Sequence, residues 1–229
     1  KSSTNGSSLC LPRLRWKDHH SIRNQATAMN PSGTTLRISK FSRLLDLCPR
    51  LPRTVRKKRH QEKTFYRDCI CAFDIETTYI EEIDQAVMYI WQWQFGDKCT
   101  VIGRTWYELR LFLAELKEIL LDNKLVIFVH NLSFEFQYLS GVFDFAPDDV
   151  FCMDHRKILK ATLNESFEFR CSYLQTNMSL RAFCEKMGVK SYKLKMNYKK
   201  RRYWYTELSN KEMAYCLNDV RGLVEAIQK

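Results

Sequence analysis

Hydrophobic spacing along the chain changes character near Thr64. Residues 1–63 are rich in Ser, Thr, Asn and Arg, with one short apolar patch at 41–47, and are expected to be disordered or weakly helical. Beyond them the pattern sharpens. The apolar run 69–73 reads as a first strand, and 86–95, rich in β-formers and partly alternating, as a second. Gly96-Asp97 marks a turn, and 99–103 completes a hairpin. Residues 105–122 carry Leu109, Phe112, Leu113, Leu116, Ile119 and Leu120 at spacings of three and four, which predicts an amphipathic helix ending at Asp122-Asn123. The continuous apolar run 125–129 predicts a strand buried on both faces of a partly parallel sheet. Residues 130–139 then enter a second helix, with Ser133 as its expected cap.

Further on, 157–163 and 167–172 form a hairpin about Asn164-Glu165, and 179–187 a short helix stopped by Gly188. A basic, aromatic loop fills 190–202. Ser209 and Glu212 then make a capping box that opens a last helix running to Ile227. Antiparallel strands followed by a helix and a buried crossover strand predict an α/β domain at 64–229, a mixed β-sheet flanked by helices. No internal repeat is visible.

Charge divides the chain in the same place. Residues 1–63 hold 15 Lys/Arg and 3 Asp/Glu, a net of +12, and the remainder holds 22 and 23, a net of −1. The first segment reads as a solvated tail, a nucleic-acid-binding arm or a mitochondrial transit peptide. A chain of 229 residues with 45% hydrophobic residues suits one sizeable domain plus that tail. No apolar run reaches the roughly 18 residues of a membrane helix, and the start lacks a signal-peptide pattern. Nine scattered cysteines without a CxxC pair are expected to be reduced core residues of an intracellular protein.

Chemistry is concentrated in three places. Asp74 and Glu76 close the first strand, and residues two apart in a strand project to the same side. Two carboxylates so placed repel each other unless a hard divalent cation binds them. A solvated acidic strand end is the plain alternative. Glu135 follows a buried strand, at the kind of strand-to-helix junction where α/β sheets bind ligands; a surface glutamate is the alternative there. Tyr215 and Asp219 lie four apart on the last helix and share a face, beside an apolar stripe where an unpaired Asp is costly.

As a set, Asp74-Ile75-Glu76-Thr77, Asn131-Leu132-Ser133-Phe134-Glu135 and Tyr215-x-x-x-Asp219 resemble the three motifs of DEDD 3′–5′ exonucleases of the Tyr subclass. The nearest resemblance is to the N-terminal exonuclease domain of protein-primed family B DNA polymerases, over about residues 66–229. It implies a ribonuclease H-like fold and two-metal hydrolysis with Mg²⁺ or Mn²⁺. Asp74, Glu76, Glu135 and Asp219 would hold the metals and Tyr215 would orient the attacking water. Lys195 would sit near the scissile phosphate, and Thr77, Asn131 and Phe134 would grip single-stranded DNA at its 3′ end. The basic, aromatic loop 190–202, Lys193 and Tyr198 included, reads either as a carrier of the single strand or as a solvated loop. The family carries Asp where this chain has Glu135, whose extra methylene either still meets the metal or weakens its binding. Palm, fingers and thumb of a polymerase are absent. The resemblance implies partnership with such a polymerase domain and with a terminal primer protein, in the cytoplasm of a bacterial host, with no membrane role. Two rival functions are a non-catalytic single-strand or primer-protein binding module and an RNA 3′–5′ exonuclease of the same superfamily.

Overall fold

A computed structural model of the chain describes residues 53–56, in backbone only, together with 64–189, 194 and 196–229. Eight strands form one sheet: β1 (Arg53–Arg56), β2 (Thr64–Ile80), β3 (Gln85–Phe95), β4 (Cys99–Gly103), β5 (Lys124–Val129), β6 (Val150–Asp154), β7 (Lys157–Leu163) and β8 (Phe167–Cys171). The order is β4-β3-β2-β5-β8-β7-β6, and β1 pairs with the first residues of β2. The β2–β5 and β5–β8 pairs are parallel and the rest antiparallel, so the sheet is mixed as the pattern predicts. Among the described residues five α-helices accompany it: α1 (Trp106–Leu120), α2 (Leu132–Val142), α3 (Ser172–Thr176), α4 (Leu180–Lys186) and α5 (Asn210–Gln228). None of the described helices is long and apolar enough to cross a membrane.

Alternation along β2 decides what each face does. Cys71, Phe73 and Ile75 point into the larger core, where α1 contributes Leu109, Phe112, Leu113 and Leu116, and α2 adds Leu132, Phe136 and Leu139. Trp93 stands at the centre, 5.3 Å from Phe112 and edge-on to it. Ala72 packs on the opposite face, against Val220, Leu223 and Val224 of α5. Asp74 and Glu76 share the parity of Ala72, so the strand turns both carboxylates toward α5.

Several elements differ from the sequence expectation. β2 begins at Thr64 and runs through Asp74 and Glu76 to Ile80, well beyond 69–73, because it pairs with β3 along its whole second half, with a register shift between Glu76 and Thr77. Ser133 does not cap α2: the cap position is Asn131, at φ 73°, and the Ser133 hydroxyl accepts a hydrogen bond from Ile158 N at 3.0 Å. β6 and α3 have no counterpart in the hydrophobic pattern. The seven described cysteines are all free; five are buried, Cys69 is half-buried and Cys152 is exposed, against the expectation of core residues throughout. The expected capping box of Ser209 with Glu212 is formed, and a second one not anticipated from the sequence, Thr105 with Glu108, opens α1. The expected order or disorder of 1–52 and 57–63 lies outside the described residues.

Candidate active site

β2 and α5 bring three carboxylates together. Asp74, Glu76 and Asp219 each offer an oxygen, and these oxygens lie within 4.8 Å of one another. Asp74 and Glu76 reach this point because they sit two apart on one face of β2. Asp219 reaches it because Val220, Leu223 and Val224 press α5 onto that face. Glu135 enters from the first turn of α2. It is 2% exposed, shares a hydrogen bond with Asp74, and leaves its Oε2 without a partner. Gln92, opposite Asp74 on β3, has its amide nitrogen 3.1 Å from Asp74 Oδ2 once its orientation is set by the hydrogen-bond pattern.

The electrostatics follow from this crowding. Burial, then the Asp219 charge, raises Asp74 to about 7. Burial, then Asp74 and Asp219, raises Glu76 to about 9, against a lowering pull from Arg202. Burial raises Asp219 to about 6 and holds Glu135 well above the usual carboxylate range, with Asp74 the next cause. Four acids in one place are thus only partly offset by positive charge among the described residues, Arg202 being the cation that lowers Glu76. An all-carboxylate, oxygen-only donor set with an unpartnered buried oxygen fits a hard divalent cation such as Mg²⁺ or Mn²⁺.

Around the carboxylates lie groups suited to a nucleic-acid end. Tyr215, one turn before Asp219, has its hydroxyl 2.6 Å from that of Tyr198, and burial pushes its phenol far above the usual range. Phe134 is 37% exposed, so it is not an ordinary core residue; it meets Tyr138 edge-on at 5.4 Å, and Tyr138 stacks on Trp106 at 6.4 Å. Thr77 shares a hydrogen bond with the Tyr138 hydroxyl. Asn131 is exposed at the start of α2. The other two sequence candidates, Lys193 and Lys195, lie outside the described residues.

Sequence reasoning missed Tyr138, Gln92 and Arg202. Tyr138 carried a signal, being four residues beyond Phe134 and so on its face of the helix. Gln92 carried a weaker one, a polar residue inside an apolar strand. Arg202 carried none, since it closes a run of four basic residues that reads as solvated surface.

A family model described as 3′–5′ exonuclease matches residues 53–229. The fold is similar to solved structures of Phi29 DNA polymerase. For the complex with single-stranded DNA the TM-score is 0.56 at 15% identity, covering 70% of this chain and 31% of that one. For the ternary complex with primer-template DNA and incoming nucleotide substrates it is 0.55 at 16% identity, covering 69% and 30%. The chain therefore spans less than a third of the polymerase chains it matches, and at this identity the likeness is one of fold. No curated protein matches the sequence.

Proposed function

This chain belongs to the 3′–5′ exonuclease family, and on that premise we propose that it hydrolyses the 3′-terminal phosphodiester of single-stranded DNA as the proofreading domain of a DNA polymerase. One observation carries the reading: Asp219, far along the sequence from Asp74 and Glu76, converges with them so that their oxygens lie within 4.8 Å of one another. The similarity in fold to a polymerase solved with single-stranded DNA supports the choice of substrate.

Asp74, Glu76 and Asp219 would hold the divalent cations, and Glu135, buried against Asp74, would complete or brace that set. When bound, two ions lower the pKa of a water and stabilise the leaving oxygen. The protein's own groups position and shield. The Tyr215 phenol stays neutral at working pH, so it orients the attacking water by hydrogen bonding and does not serve as a base. The water gives up a proton to solvent as its oxygen bonds to phosphorus, the bond from phosphorus to the 3′-oxygen breaks, that oxygen takes a proton from solvent to become the new 3′-hydroxyl, and a nucleoside 5′-monophosphate departs. Phe134 offers an exposed ring to a terminal base, and stacking of this kind accepts any sequence. Thr77 and Asn131 flank it as candidate grips on the sugar and phosphate.

One observation favours a second reading. Among the described residues the group able to share a metal consists of Asp74, Glu76 and Asp219, and Glu135, hydrogen-bonded to Asp74, is not among them. A site with three such ligands binds metal more weakly, and a non-catalytic strand-binding module would tolerate that. Degradation of a 3′-mismatched, end-labelled DNA strand with Mg²⁺ or Mn²⁺ separates the two. Stepwise shortening from the 3′ end, reduced by roughly a thousandfold or more in Asp74→Ala, is the expected result. Strand binding without cleavage would make the binding module the better account, and equal cleavage of an RNA strand would redirect the substrate assignment.

A further inference from the structure

Arg202 is a cation almost wholly withdrawn from water near the site: its side chain is 3% exposed. An arginine is almost never buried without partners, because desolvating the guanidinium is costly. Its partners are specific. Nε and Nη2 donate to Glu212 Oε1 at 2.9 and 2.7 Å, and Nη1 donates to the carbonyls of Asn197 at 2.9 Å and Lys200 at 2.8 Å. Those two carbonyls close a turn, since Lys200 N also donates to Asn197 O at 3.3 Å. Tyr198 and Lys199 form its corner. Lys200 Nζ adds a second cation on Glu212 at 3.0 Å.

The pair therefore holds both ends of one contact. Glu212 is on α5, three residues before Tyr215; the turn carries Tyr198; and the two phenol oxygens are 2.6 Å apart. Arg202 is itself seated by its backbone N–H on Thr78 Oγ1 at 3.4 Å, just beyond Glu76 on β2, and lies over the Tyr89 ring of β3 at 5.9 Å. The far side of the loop is fixed separately, by Arg104 donating to the carbonyls of Tyr203 and Thr206, each at 2.8 Å. Tyr198, 68% exposed, would otherwise be a freely rotating surface side chain.

We infer that Arg202 is a positioning residue for the hydrolysis, holding Tyr198 against Tyr215 so that the two phenols act on the terminal phosphodiester as one unit. The inference rests on the hydrolytic reading above. Its signature is a loss of turnover without a loss of strand affinity, transmitted through Tyr198. A merely structural Arg202 would instead change melting temperature and affinity together, and one acting directly on Glu76 through its charge would be indifferent to Tyr198.

The experiment is a double-mutant cycle on the full chain: wild type, Arg202→Lys, Tyr198→Phe and both together. Single-turnover rate and KM are measured on an end-labelled DNA strand with Mn²⁺, at a temperature below every variant's melting point. Each single change should lower the rate by roughly tenfold, and the double should be no slower than the slower single to within about twofold. KM should stay within about twofold of wild type in all four. Multiplicative losses, or a rate unaltered by Arg202→Lys, would overturn the inference. Should Arg202→Lys fail to fold, Glu212→Gln takes its place in the cycle and the same non-additivity decides. A wild-type chain that cleaves nothing with either metal would overturn the hydrolytic reading itself, and the role of Arg202 with it; a cleaving wild type with additive losses would overturn the inference alone.

Discussion

Burial gives the site carboxylates a shared pH behaviour that can be measured without substrate. Asp74 at about 7, Asp219 at about 6 and Glu76 at about 9 all stand above their values in an unfolded chain. Over that span the native state keeps protons that the unfolded state has released, so these groups make stability fall as pH rises. Half-buried His130, with its pKa lowered by desolvation, acts in the opposite sense at acid pH and is neutral above it, which makes pH 7 to 9 the clean window. In EDTA the melting temperature should drop across that window, and the drop should be shallower in Asp219→Asn. Mn²⁺ at pH 8 should restore about 5 °C or more in the wild type and little in Asp219→Asn. A melting temperature indifferent to metal would remove the cation site. The sequence shows Asp74, Glu76 and Asp219 because strand and helix periods convert spacings of two and four directly into direction. The places of Arg202 and Gln92 depend on partners across the fold that no local spacing encodes.

At the scale of elements, hydrophobic pattern reports burial better than it reports pairing. The apolar run 69–73 marks the buried middle of β2, yet the strand extends to both sides because β1, β3 and β5 bind its backbone. β6 escaped notice for the converse reason: most of it is exposed, Phe151 and Met153 included, so it has no buried face to betray it. β4 ends on Gly103 for a packing reason. A Cβ there would stand 2.3 Å from Trp91 Cε2. That indole is immobile, fully buried, stacked on Phe112 at 5.5 Å and donating to Thr105 O at 3.0 Å. Gly103→Ala should therefore cost about 1–3 kcal/mol and lower the melting temperature by roughly 2–10 °C, as calorimetry would register. An unchanged melting temperature would mean that β4 shifts freely, against the packing described.

Across the whole molecule, charge and chemistry occupy different parts of the chain. The +12 of residues 1–63 stands beside a near-neutral remainder that holds every carboxylate of the site. Salt should consequently act on strand capture and not on the reaction. Raising monovalent salt from about 50 to about 200 mM should raise KM for single-stranded DNA at least severalfold with kcat nearly constant. A chain starting at residue 53, where the family match begins, should show a shallower dependence. Equal slopes would mean that the first segment does not touch the strand. The mixed sheet and its flanking helices were legible from element order. The full strand order was not, because β6 had no signal and β1 lay in a segment without hydrophobic periodicity.

The site draws on β2, the start of α2 and α5, and of these α5 is the latest in chain order. A nascent chain that has made Asp74, Glu76 and even Glu135 still lacks Asp219 and Tyr215, and the face of β2 that α5 will cover is bare. Such a chain has two of the three converging carboxylates and not the third. A product truncated before α5 would leave the apolar face around Ala72 uncovered, a sticky sheet that chaperones would bind.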